Sequence, residues 1–298
     1  MKVKNTIAEL KQKDIALITE AAGHGFMECM FGLAYGKKLV ACSLQTEKEK
    51  FEKETCDIYN RLSPFVSNME KAKWEEAENL IKNGVSFREM LKKEQIEGEM
   101  WNKFAQITLT PKQENNLPNY SSVDSHSTNI MLIPQKLFSD GQCGLTAQQQ
   151  CVPLEVFNFF KSEPNNKYIL GQHFNKVNDL EHVENIAREF SMYVPGQIED
   201  KEVFGIRGIP HIQYLNLYKK TDISIGIVGT HTWYMLGCFS DKPQIILYNK
   251  SGIERWEEIV KPYQKQGKPI YILGFDENTD WYKFSLEIQS LYKKIVKK

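Results

Sequence analysis

The chain has 298 residues, 41% of them apolar, with 38 basic and 38 acidic side chains and a formal net charge of zero. That balance excludes an overall basic field of the kind that draws nucleic acid, and the length allows one large or two ordinary domains with cores of their own. No run of about 18 apolar residues occurs, the opening MKVKNTIAELKQKD lacks the apolar stretch of a secretory leader, and the six cysteines form neither a Cys-x-x-Cys pair nor a zinc spacing with histidine, so a cytoplasmic chain with reduced thiols is expected.

Residues 14–20 (DIALITE) read as a buried strand, 21–25 as a glycine-containing turn, and 26–35 as a helix with Gly36 as its C-cap. A second strand is expected over 39–44. From 46 to 106 the strand signal is lost, and Trp74, Ala77, Leu80 and Ile81 mark one helical face. That pattern predicts two or three helices broken near Pro64 and Gly84. Residues 109–128 (LTPKQENNLPNYSSVDSHST), rich in Pro, Asn and Ser, read as a linker.

Strand signals resume at 130–134 (IMLIP), followed by a helix over 146–162 interrupted near Pro153, a strand at 168–171 and a helix over 179–192. An extended stretch at 203–206 leads to a helix over 210–219. The segment 221–248, TDISIGIVGTHTWYMLGCFSDKPQIILY, then carries three parts. Ile223, Ile225 and Ile227 alternate into a strand, Gly229, Thr230, His231 and Thr232 make a turn, and 233–239 form a helix that passes through Lys242 and Pro243 into another strand. A last strand at 271–275 and an amphipathic helix over 279–296 end the chain. Strands and helices alternate through most of its length, which predicts α/β architecture with parallel sheets.

A strand, a Gly/Thr turn and a helix start place backbone N–H groups at the carboxyl edge of a sheet, where they suit a phosphate or diphosphate. A plain βαβ unit without a ligand has the same pattern. The segment also has a counterpart upstream. Residues 14–42 and 222–247 both open on Asp-Ile, run a strand into a turn with a histidine (His24, His231), pass a helix with Met, Cys and Phe, and leave through a lysine into a strand. Either two βαβ units coincide or the chain holds two similar Rossmann-like halves.

Segment 221–248 resembles the donor-nucleotide region in the C-terminal domain of GT-B glycosyltransferases, where an Asp-led strand meets a Gly/His/Thr turn, a helix and a Lys-Pro strand. The heptosyltransferase-like enzymes of bacterial surface-polysaccharide synthesis come closest in pattern. The resemblance covers about a tenth of the chain. It implies an α/β fold of two Rossmann-like domains with a helical insertion in the N-terminal half. Residues 1–127 would then form the acceptor-side domain and 128–298 the nucleotide-sugar-binding domain, with the active site in the cleft between them. The chain is short for that family, and its N-terminal half shows few clear strands.

Such enzymes work without a metal, through helix N-termini and basic side chains, and no Asp-x-Asp motif occurs here. The resemblance therefore implies no metal and no cofactor beyond the donor itself. Partners would be a nucleotide-sugar and a surface glycan or glycolipid acceptor, with no nucleic acid. The Lys-rich tail, 292–298, is a solvated helix end or rests on the inner face of an anionic membrane.

Gly229, Thr230, His231 and Thr232 are the donor-phosphate candidates, with His231 either a phosphate contact or a helix cap. Arg207, Lys136 and His173 either meet the same donor or are ordinary surface groups. On the acceptor side, Gly23 and Gly25 flank His24, whose titration range suits a general base. Glu20 or Glu28 either orients that histidine or acts as the base. Two alternatives share these residues: a nucleotide-sugar epimerase or hydrolase on the same fold, and a non-catalytic Rossmann-like binding protein.

Overall fold

The computed structural model describes residues 12–21, 23–92, 96–112, 129–133, 152–162, 166–169, 188–190, 215–252 and 255–296. The chain is α/β and divides into two compact units. One comprises Met1–Asn115 and Thr230–Ser240, the other Asn116–Gly229 and Asp241–Lys298.

The first unit starts with β1 (Ile15–Ile18), α1 (Gly23–Ala34), β2 (Lys38–Ala41), α2 (Lys48–Leu62) and β3 (Met69–Lys71). A 3₁₀ turn (Trp74–Glu76) leads into α3 (Ala77–Asn83), then β4 (Gly84–Val85), α4 (Phe87–Lys92) and α5 (Gly98–Phe104). The sheet order is β3-β2-β1-β4 and every pairing is parallel. Strands β1 and β2 are short apolar runs, as a sheet covered on both faces requires. On one side Leu17, Val40, Phe51, Ala77 and Ile81 form a core, partly closed by Trp74 and Leu80. The helical face expected from Trp74, Ala77, Leu80 and Ile81 is thus the one that packs.

Helix α1 is buried on nearly every side, which its apolar circumference dictates. Phe31 meets Phe87, Trp101 and Phe104 at ring-centroid distances of 5.1, 5.0 and 4.7 Å. The chain returns much later to add α7 (Thr230–Cys238) to this unit. Phe26 of α1 lies 4.5 Å from Tyr234, and Trp233 stacks at 6.3 Å on Trp101. The sequence reading assigns 230–240 to the C-terminal domain; its packing places it here, because α1 offers an apolar face to Trp233 and Tyr234.

The second unit contains β5 (Asn129–Ile133), a 3₁₀ segment (Leu154–Ser162), β6 (Asn166–Ile169), α6 (Leu215–Lys220), β7 (Ile223–Ile227), β8 (Gln244–Asn249), α8 (Trp256–Lys265), β9 (Ile270–Phe275) and α9 (Trp281–Val296). Its sheet order is β6-β5-β7-β8-β9, again parallel throughout.

Gly36, at φ +63°, ends α1 as expected of a left-handed C-cap. Other expectations need correction. Helices α1 and α7 start at Gly23 and Thr230, so Gly23, Gly25, Thr230 and Thr232, read as turn positions, belong to first helical turns, while Gly229 stays ahead of α7. The largely helical stretch 46–106 also supplies β3 and β4, strands of three and two residues. Helix α8 is a further addition: Pro262 sits inside it, while Trp256, Ile259, Val260 and Tyr263 keep one face buried. The expected domain boundary at 127/128, the extended stretch at 203–206 and most of the helix at 179–192 lie outside the described residues. Among the described residues no helix is long and apolar enough to cross a membrane.

Candidate functional site

In an open parallel sheet the chain leaves two neighbouring strands in opposite directions at one place, and a crevice opens beyond their carboxyl ends. In the first unit that place is β1/β4: the chain steps from β1 to β2 to β3 on one side, then comes back to β4 on the other. Thr19 and Glu20 leave β1 there, and Ser86, Phe87 and Arg88 leave β4. In the second unit the reversal is at β5/β7. Val228 and Gly229 follow β7, and the residues after β5 lie outside the described ones.

The β1/β4 point is built around a buried carboxylate. Glu28, fully buried in the middle of α1, accepts the Thr19 backbone N–H on Oε2 at 2.6 Å. Its Oε1 accepts the Ser86 hydroxyl at 2.8 Å and the Arg88 backbone N–H at 3.3 Å. The Thr19 hydroxyl adds contacts of 3.1 and 3.2 Å. Burial pushes the Glu28 carboxyl up from 4.5 to about 7, and the bonds from Thr19, Ser86 and Arg88 pull the other way without winning.

Glu20 and His24 lie on the outer side of this cradle. His24 Nδ1 is 3.3 Å from Oε2 of Glu20, four residues earlier in the chain, and the two side chains are 39% and 29% exposed. The Arg88 guanidinium pairs with the other Glu20 oxygen. The turn closes tightly, since a Cβ on Gly25 would sit 1.7 Å from the Glu20 carbonyl oxygen. Of the two carboxylates expected beside His24, Glu20 lies within ion-pair distance of it, and Glu28 bonds to Thr19, Ser86 and Arg88 instead.

A carboxylate at this distance from Nδ1 favours a proton on that nitrogen, whether the ring is neutral or charged. The guanidinium holds the carboxylate in turn.

Helix α7 brings three of the donor-side candidates, Thr230, His231 and Thr232, to the same unit. A Cβ on Gly23 would lie 2.8 Å from the Thr230 Cα, so the first turns of α1 and α7 touch through backbone. His24 and Thr230 therefore belong to adjoining helix starts, whose positive ends face the same way. Thr230 and the preceding Gly229 are half-buried. His231 is buried, 4% exposed, with Nε2 3.2 Å from the Thr232 hydroxyl. Burial pushes its imidazole down to about 3, so near neutral pH it is uncharged and meets an anion only as an N–H donor.

Arg207, Lys136 and His173 lie outside the described residues. Among the described residues no cluster of three or more His, Cys, Asp or Glu could hold a metal ion. Thr19, Ser86 and Arg88 escaped the sequence reading. Ser86 and Arg88 follow a two-residue strand, too short for any periodic signal, and only its place beside β1 gives them their position.

No family model matches the chain, and no curated protein matches it. Among solved structures it is similar to one described as "OtsA apo structure", with a TM-score of 0.32 and 9% identity, covering 88% of this chain and 54% of that one. The chain thus spans about half the length of that structure.

Proposed function

We propose that the chain is a metal-independent glycosyltransferase of GT-B-like build, transferring a sugar from a nucleotide-sugar donor to a surface glycan or glycolipid acceptor, in the manner of the heptosyltransferase-like enzymes. The observation that carries this reading is the His24–Glu20 pair at the carboxyl ends of β1 and β4.

In this reading His24 Nε2 takes the proton of the acceptor hydroxyl as its oxygen attacks the anomeric carbon. The bond from that carbon to the donor phosphate breaks, and the nucleoside diphosphate leaves with the electron pair. Glu20 stabilises the imidazolium that forms, and Arg88 keeps Glu20 in place. The first turn of α7, Thr230 to Thr232 after Gly229, supplies N–H and hydroxyl donors and the positive end of a helix to the leaving diphosphate. Arg207, Lys136 and His173 are proposed as further donor contacts.

The test is a thermal-shift series of the intact chain with UDP, GDP, CDP, ADP and CMP, each with and without Mg²⁺. A nucleotide at 100 times its dissociation constant stabilises by about 2.7 kcal/mol. A shift from one nucleotide that is the same with EDTA supports the reading. A folded chain that none of the five stabilises overturns it. Product analysis with the matching nucleotide-sugar and no acceptor then separates transfer from epimerisation or hydrolysis.

A further inference from the structure

The Glu28 carboxylate touches both chain segments that hold the His24 pair. Its Oε2 receives the backbone N–H of Thr19, the residue before Glu20. Its Oε1 receives the backbone N–H of Arg88, whose guanidinium closes on Glu20, and the Ser86 hydroxyl two residues earlier. The Ser86 hydroxyl itself accepts the Glu89 N–H at 3.2 Å, which directs its own proton to Glu28. Both carboxylate oxygens thus face a backbone N–H. Each position has to accept, which a carboxyl oxygen does with or without its proton: a glutamine would turn its NH₂, which accepts nothing, toward either the Thr19 or the Arg88 N–H.

We propose that Glu28 and Arg88 are positioning residues for His24: the buried carboxylate ties the ends of β1 and β4 together, so that the Arg88 guanidinium and the Glu20 carboxylate meet and hold the imidazole in its Nδ1–H form. The proposal rests on the reading of His24 as general base. Glu28 acts on His24 through four groups: the Thr19 and Arg88 backbone, the Arg88 side chain and Glu20. Its own exposure is 0%, which keeps it from substrate.

The histidine tautomer is read directly by long-range ¹H–¹⁵N correlation on the ligand-free full chain, without any substrate. In the natural protein the expected signature for His24 is a protonated Nδ1 and an unprotonated Nε2. In Glu28→Gln the expected result is loss of that signature in favour of the Nε2–H-dominated mixture of an unconstrained imidazole, with Arg88→Met giving the same loss. A folded E28Q that keeps the Nδ1–H signature overturns the proposal and leaves Glu28 a plain core residue. If E28Q fails to fold, Ser86→Ala decides: it withdraws one donor from Glu28 without adding a mismatched amide. A weakened Nδ1–H signature in S86A supports the proposal, and an unchanged one overturns it. The same samples enter the nucleotide series, whose outcome decides the transferase reading separately, because the tautomer is measured with nothing bound.

Discussion

A Cβ placed on Gly23 would come within 2.8 Å of the Thr230 Cα and 2.8 Å of Trp233 Cδ1. These positions correspond in the two similar segments of the sequence, which align His24 with His231. At the other end of the pair, a Cβ on Gly237 would lie 2.4 Å from a Phe26 ring carbon and 2.5 Å from Met30 Sδ. The similarity therefore has a physical counterpart. The helices of the two segments pack side by side within the first unit, starting at the same end and separated by glycines.

Gly23→Ala is expected to lower stability by about 1–3 kcal/mol, the usual cost of overpacking. Alanine would otherwise gain up to about 1 kcal/mol over glycine inside a helix, so a loss identifies the contact rather than propensity. Gly237→Ala is expected to cost a comparable amount, because its new Cβ would lie 2.4 Å from a ring carbon of Phe26, itself fully buried against Phe65 and Tyr234. Urea unfolding of the two variants checks both losses; a G23A chain as stable as the parent would contradict the close approach.

The buried Glu28 and His231 give stability a pH dependence in which two opposite trends overlap. Burial raises Glu28 from 4.5 to about 7 in the folded chain, so the fold holds that proton better than the unfolded chain does. Its contribution is complete below 4.5 and is lost as pH rises through 7, on the order of 3 kcal/mol in all. His231 is lowered from 6.5 to about 3, so its contribution is complete above 6.5 and lost as pH falls through 3. Between 4.5 and 6.5 the two slopes oppose each other. His231→Gln should expose the Glu28 slope, with stability falling as pH rises across that window. Urea midpoints from pH 4.5 to 7.5 check this, and a variant profile as flat as the parent's would contradict it.

Lys242 belongs to the Lys-Pro pair that carried part of the family resemblance, but its ammonium has structural work in the second unit. It donates to the carbonyls of Tyr218 at 3.1 Å and Thr221 at 2.6 Å, and to that of Lys219, so it caps the carboxyl end of α6. Lysine at a helix C-terminus satisfies the last carbonyls and complements the dipole. Lys242→Met is expected to lower stability by about 1–2 kcal/mol while leaving any nucleotide-induced thermal shift intact. Loss of that shift in a folded K242M chain would instead put the ammonium at the ligand.

Much of the fold was legible because parallel strands are short apolar runs and their helices are periodic. The strands β1, β2, β5, β7, β8 and β9 announce themselves as clusters of Ile, Leu and Val. The two edge strands of the first sheet do not: β3 reads Met-Glu-Lys and β4 is two residues long, and each exists through its backbone pairing with β2 or β1. The site shows the same division. Glu20, His24 and Glu28 are visible from a strand–turn–helix pattern, a local signal. Ser86 and Arg88 join them across 58 to 68 residues of chain, through the parallel pairing of β4 with β1 that no local signal encodes.

The transferase reading commits His24 to one role. His24→Gln keeps a planar polar side chain at a position 39% exposed, so the fold should survive. Loss of a positioned general base typically slows turnover about 10²- to 10⁴-fold. The expected result is a kcat reduced by that factor, with the thermal shift from the nucleotide retained, because the first turn of α7 is untouched. Release of nucleoside diphosphate from the donor, followed with acceptor present, measures the first quantity, and the melting midpoint the second. If H24Q turns over at the parental rate, His24 is not the base, and if it loses nucleotide binding with its fold intact, the histidine belongs to the donor.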